Sequence, residues 1–230
     1  LIHWLTALLV GAVGTGLARA ARSRGRPETV GLVAALLFAA HPLATQSVTY
    51  VTQRITALAA LLALASVAVF LRARRSPGSR GWAASWAPAA AAALTKEMSV
   101  ALPFAVVAME GWLRSVRAPG RAGVARLAPY FLVVPLVVWT AQHPLGPEQR
   151  VAGGLRESAD IGRLEYLLTQ MTVIPRYLSL AVWPAGQCLD PVPALRASPD
   201  PDVLAGLGLL VALTAVAVAA RSRPPLALAG

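Results

Sequence analysis

The sequence predicts an all-α fold, a polytopic membrane bundle of about seven to eight apolar helices plus one interfacial or re-entrant helix. Three observations predict it. The chain is 57% hydrophobic and only 13% charged, against the roughly one quarter charged residues of a soluble domain. Its apolar runs approach the roughly 20 residues that a spanning helix needs. Its basic residues gather in short linkers between those runs. The formal charge of +11 therefore fits the positive-inside rule. Nucleic acid is not expected as a partner, because no basic face is interleaved with aromatic residues.

The apolar runs follow one another with polar punctuation. The first covers residues 1–18 and the second, shorter, covers 29–40 and stops at His41-Pro42. A third runs over 48–71, and a fourth and fifth (82–94 and 100–113) flank the polar stretch Thr95-Lys96-Glu97-Met98-Ser99. A sixth covers 127–142, and 203–220 forms a later span. The alanine-rich stretch 83–93 is good helix-forming material and carries no chemistry. Both termini sit in apolar runs and read as cut ends of a longer protein. One cysteine, Cys188, rules out an internal disulfide framework.

Arginine count sets the orientation. The linkers 19–26, 72–80, 114–126 and 221–223 hold four, four, four and two Arg, whereas 41–47 holds no Lys or Arg and 95–99 holds one Lys. The first set is expected in the cytoplasm, so the two polar patches face the extracytoplasmic side. Three regions are expected: helices over 1–142, an extracytoplasmic loop over 143–202, and a further helix with the start of another over 203–230. Residues 160–183 carry Arg163, Glu165, Gln170 and Arg176, with Pro175 expected to break the middle. That polar load is costly at mid-bilayer and suits a membrane-hugging helix.

Candidate site residues lie in the two patches. Gln46, Tyr50, Gln53 and Arg54 are spaced to share one face if a helix runs through them. Arg54 either snorkels to the bilayer surface or grips a phosphate by paired hydrogen bonds. His41, before a proline, reads as a cap or loop residue or as part of a site. Lys96 and Glu97 form a polar turn between spans, or line a cavity where Lys96 meets a phosphate and Glu97 tunes it. Asp190 is a possible acid or base or a turn residue. Asp200 and Asp202 read as turn and cap residues of the last span. Clustered His and carboxylate ligands for a metal are not visible, nor are phosphate-binding glycine loops or hydrolase motifs.

Four stretches in order, LIHWLTALLVG, HPLATQSVTYVTQR, LTKEMSVALP and YLLTQMTVIPRYLSLAVWPAGQCLD, carry a resemblance. The chain resembles the membrane domain of bacterial tetratricopeptide-repeat proteins related to the transmembrane O-mannosyltransferases, glycosyltransferases of the GT-C superfamily. The resemblance implies a bundle of GT-C type in the bacterial inner membrane. It implies transfer of a sugar from a polyprenyl-phosphate carrier to a hydroxyl acceptor, Ser or Thr of an exported protein, with no certain cofactor and an undecided need for a divalent metal. Under it Arg54 and Lys96 contact the lipid phosphate, His41 and Gln46 line the site, and Glu97 lies alongside. The family's acidic base precedes the stretch matching LIHWLTALLVG, so it is expected upstream of Leu1 and no residue here is assigned that role. The competing readings are a transporter or flippase for a lipid-linked or anionic substrate, and a structural anchor for a repeat domain.

Overall fold

The computed structural model of the chain describes residues 1–21, 25–50, 53–75, 78–116, 122–142, 162–186 and 194–222. Among them every regular element is helical. The chain divides into two compact units, one built on Leu1–Leu145 and one on Gly146–Ser222.

The first unit begins with α1 (Ile2–Ala20) and α2 (Pro27–Ala40). Pro27 opens α2, where its fixed φ suits a helix and its missing N–H is not needed. Glu28 in the same turn pairs with Arg19 at 2.6 Å; both are exposed, and water screens the pair so that it contributes little. The close fit of the two helices comes instead from Gly31. A Cβ there would overlap the Thr15 hydroxyl and crowd the Gly11 carbonyl oxygen. Such small-residue crossings let backbones approach where burial of apolar surface gives no advantage over lipid.

At His41 the backbone turns extended (φ −68, ψ 127), as expected for a residue before proline. A 3-10 turn (Pro42–Ala44) leads into the short α3 (Thr45–Thr49), and this segment is bent by 56° from α2. A new helix, α4 (Arg54–Ala73), then begins. This corrects the single helix expected over 48–71. Gln46 and Tyr50 do not share a helix with Arg54. Thr45, Val48 and Thr49 are branched at Cβ and form helix weakly, and α3, which holds them, ends at Thr49 after five residues.

From α4 the chain turns back into α5 (Ser79–Thr95), then a 3-10 turn (Glu97–Ala101) and α6 (Leu102–Ser115). After α7 (Val124–Leu127) and a further 3-10 turn comes α8 (Val133–Gln142). Phe70 of α4 sits edge-on to Trp82 (5.8 Å) and Tyr130 (6.2 Å). The buried Ser66 hydroxyl donates to the Ser85 carbonyl at 2.7 Å, tying α4 to α5. An ion cluster closes one end of the unit. Glu110 of α6 accepts from Arg74 Nε at 2.6 Å and from Arg114 Nε at 2.8 Å. It also accepts from the Ala122 backbone N–H at 3.2 Å.

In the second unit α9 (Arg163–Val182) packs on α10 (Pro201–Ser222). Contrary to expectation, α9 continues through Pro175. Proline cannot donate to the Met171 carbonyl one turn back. That carbonyl oxygen is met by the backbone of Gly206, where a Cβ would overlap it. Asp200 caps α10, accepting from the Val203 N–H at 2.9 Å, and Arg196 pairs with both Asp200 and Asp202.

Among the described residues three helices are long and apolar enough to cross a membrane, α1, α4 and the Pro201–Ala219 part of α10, and α2 with its bent continuation would be a fourth, where the sequence reading expects about seven to eight apolar helices. The other helices fall short in length or in apolar content. The 14 residues of α6 reach only about 21 Å, against a hydrocarbon core of about 30 Å. Exposed leucines and valines cover α2 (Leu32, Leu36, Leu37) and α10 (Leu204, Val211, Val216, Val218), faces that suit lipid contact and would aggregate in water.

Candidate functional site

The antiparallel run of α1, α2, α4 and α5 gathers the arginine linkers at one end of the first unit. At that end Arg19 pairs with Glu28, Arg75 reaches the Gly16 carbonyl at 3.4 Å, and Arg126 lies 5.0 Å over the Trp82 ring. The other end gathers the start of α1, the end of α2, the start of α4 and the end of α5. There His3 stacks on Phe38 (5.4 Å between rings) and its Nε2 bonds the Ala39 carbonyl at 3.1 Å.

Lys96 is the best placed of the residues singled out in the sequence. It caps α5 in extended conformation, and its ammonium donates to the Thr56 hydroxyl at 3.0 Å. Thr56 lies in the first turn of α4, which Arg54 opens. The structure therefore brings Lys96 and the Arg54 turn to the same end of the bundle from positions 40 residues apart. The Arg54 side chain is exposed. Lys96 is half-buried and keeps donor capacity beyond Thr56.

The other candidates divide. His41 accepts from the Leu43 N–H through Nδ1 at 3.2 Å, so it caps the 3-10 turn. Glu97 is exposed, opens its 3-10 turn, and among the described residues makes no ion pair with Lys96. Gln46 lies in α3, whereas Cys188 and Asp190 lie outside the described residues.

Between these elements is a cleft of about 230 Å³ lined by His3, Thr6, Phe38, Leu43, Ser47, Gln53, Thr56, Ala57 and Ala60. Arg54, Lys96, His41 and Glu97 do not line it; Lys96 and His41 bond to residues that do, and Arg54 follows one in sequence. Small-molecule sites usually enclose about 300–1,000 Å³, so this cleft suits a headgroup rather than a whole lipid-linked sugar. Sequence reasoning missed His3 and Thr56. Each is a lone polar residue in an apolar run, and only the folded partner 36 or 40 residues away gives it meaning.

Among the described residues no group of three His, Cys, Asp or Glu is placed to hold a metal. Glu97, at the same end, is exposed. The cleft itself is lined by apolar and uncharged polar side chains and His3, and the cations Lys96 and Arg54 stand beside it rather than in it. Compared with protein-family models, curated proteins and solved structures, the chain matches none.

Proposed function

We propose that the chain is part of the membrane domain of a glycosyltransferase that moves a sugar from a polyprenyl-phosphate carrier to a hydroxyl acceptor of an exported protein. It acts on the extracytoplasmic side of a bacterial inner membrane, as a multi-pass bundle of GT-C type. The observation that carries the reading is Lys96, held by Thr56 in the turn that Arg54 opens. Departure of a lipid phosphate builds negative charge, and fixed cations at that point stabilise it. Lys96 would act as a point charge and Arg54 as a planar fork on two oxygens. The clustering of the arginine linkers at the opposite end supports the orientation. No residue at this end is assigned the role of base.

The test uses the full-length protein, a radiolabelled polyprenyl-phosphate sugar, and the Arg54→Ala and Lys96→Ala variants. Loss of one positioned oxyanion donor lowers turnover by about 10²–10³, and each variant is expected in that range. Transfer at the wild-type rate in both would reject the phosphate site.

The bend between α2 and its continuation favours one second reading, a flippase for the same class of lipid. Interrupted helices in a membrane line cavities in transporters. Movement of labelled carrier across proteoliposomes without sugar transfer would select it over the transferase.

A further inference from the structure

At the arginine-rich end of the first unit, α1 and α4 enclose a second cleft of about 200 Å³. Arg19 of α1, Arg72 in the last turn of α4 and Arg75 just past its end line this cleft, with Gly16 and Leu71 among its small and apolar residues. Arg75 is anchored by the Gly16 carbonyl at 3.4 Å, and a Cβ on Gly16 would press within 3.1 Å of the Leu71 side chain. Among the described residues no carboxylate lines this cleft. Glu28, which Arg19 holds at 2.6 Å, lies outside the lining.

We propose that this cleft binds the phosphate headgroup of an anionic phospholipid in the cytoplasmic leaflet. A cation at the end of each helix is explained by the carbonyl dipoles there. That effect does not explain three arginines around one cleft. Arg72 and Arg75, three residues apart at the end of α4, line the same cleft, and like charges gathered in this way repel. A bound phosphodiester converts this repulsion into paired, charge-assisted hydrogen bonds. The apolar residues of the cleft belong to the spans of α1 and α4, so the arginines take the headgroup while these residues meet the glycerol and chain. This is why a lipid is favoured over free phosphate. The proposal rests on the membrane orientation, not on the transferase reading, and survives the loss of the latter.

The test titrates the detergent-purified full chain with phosphatidylglycerol, phosphatidylcholine or inorganic phosphate, at about 0.15 M salt, where charges beyond roughly 8 Å are screened. Retained ligand is counted by native mass spectrometry. Phosphatidylglycerol is expected to be held in preference to phosphatidylcholine. One basic side chain changes attraction to an anionic headgroup about fivefold, so Arg19→Gln, Arg72→Gln and Arg75→Gln together should weaken retention on the order of a hundredfold. The exposed Arg80, outside the cleft, is the control, and Arg80→Gln should leave retention unchanged. If the triple variant does not fold, Arg72→Gln alone decides, with about a fivefold loss expected. Unchanged retention in the cleft variants, or an equal loss in Arg80→Gln, would overturn the site. Displacement of the lipid by millimolar inorganic phosphate would also overturn it, in favour of a free anion.

Discussion

Replacing Glu110 with alanine probes the ion cluster that closes the arginine-rich end. The Glu110 and Arg74 side chains are each only 3% exposed, whereas Arg114 is 49% exposed. Alanine removes the acceptor of Arg74, Arg114 and the Ala122 N–H together. Breaking a buried pair by removing one member costs about 3–5 kcal/mol, because the other charge stays buried. The Arg114 contact, half in solvent, adds at most about 1 kcal/mol. With each kcal/mol worth roughly 2–4 °C in a chain of this size, a fall of about 10 °C in the unfolding midpoint is expected. Heating the detergent-solubilised protein in steps and reading the surviving monodisperse fraction by size-exclusion chromatography measures it. The pair Glu110→Ala with Arg74→Met should recover about half of the loss, since the double change leaves neither charge in the interior. A midpoint shift below about 2 °C for Glu110→Ala, equivalent to under about 1 kcal/mol, would refute the reasoning. So would a double variant no more stable than the single one.

Two further outcomes follow from packing and from protonation. Gly31→Val places a branched side chain where even a Cβ overlaps Thr15. It should cost about 1–3 kcal/mol or more in the same heating assay, and an unchanged midpoint would mean that α1 and α2 do not cross there. Asp200 is held below its ordinary 3.8, first by the Val203 N–H; desolvation opposes this, and the Arg196 hydrogen bond and charge add to the lowering. A depressed carboxyl stabilises the fold fully above its unfolded value and loses that contribution as pH falls through the folded one. Hydrogen-exchange protection of the Val203 amide should therefore drop as pH falls below about 3.8. An Asp200→Asn variant should lose that pH dependence, and protection that stays constant in the wild type would count against the cap.

The helices of the first unit and α10 are visible in the sequence because long apolar runs leave few other solutions. Arginine linkers foretell which ends lie together for the same reason, since a helix hairpin returns to the side it left. What stayed hidden depends on pairing across distance. Arg74 counts in the sequence as one linker arginine among four, and Glu110 as a stray acid in an apolar run. Their bond joins the residue that closes α4 to one in α6 across 36 positions, and no local pattern marks it. Lys96 is legible, beside Glu97, as a charge between apolar segments, but its anchor Thr56 is not, because one hydroxyl in a helix of 20 residues carries no pattern. The end of α3 is hidden because the apolar content of 48–71 outweighs, in the sequence, the branched Val48 and Thr49 at which that helix stops.

Pro175 and Gly206 have a joint consequence for how α9 and α10 can move. The proline leaves the Met171 carbonyl without its helical donor, and the glycine's Cα–H lies against that oxygen, a weak contact of the kind recurring between close helices. Sliding α10 by one helical turn in either direction would bring Asp202 or Val203, or Leu209 or Leu210, each with a Cβ, onto the same oxygen. The pair therefore acts as an index mark, permitting one register between the two helices and penalising its neighbours on both sides. A motion of this unit that kept the contact would have to be a rotation about that mark rather than a piston-like shift.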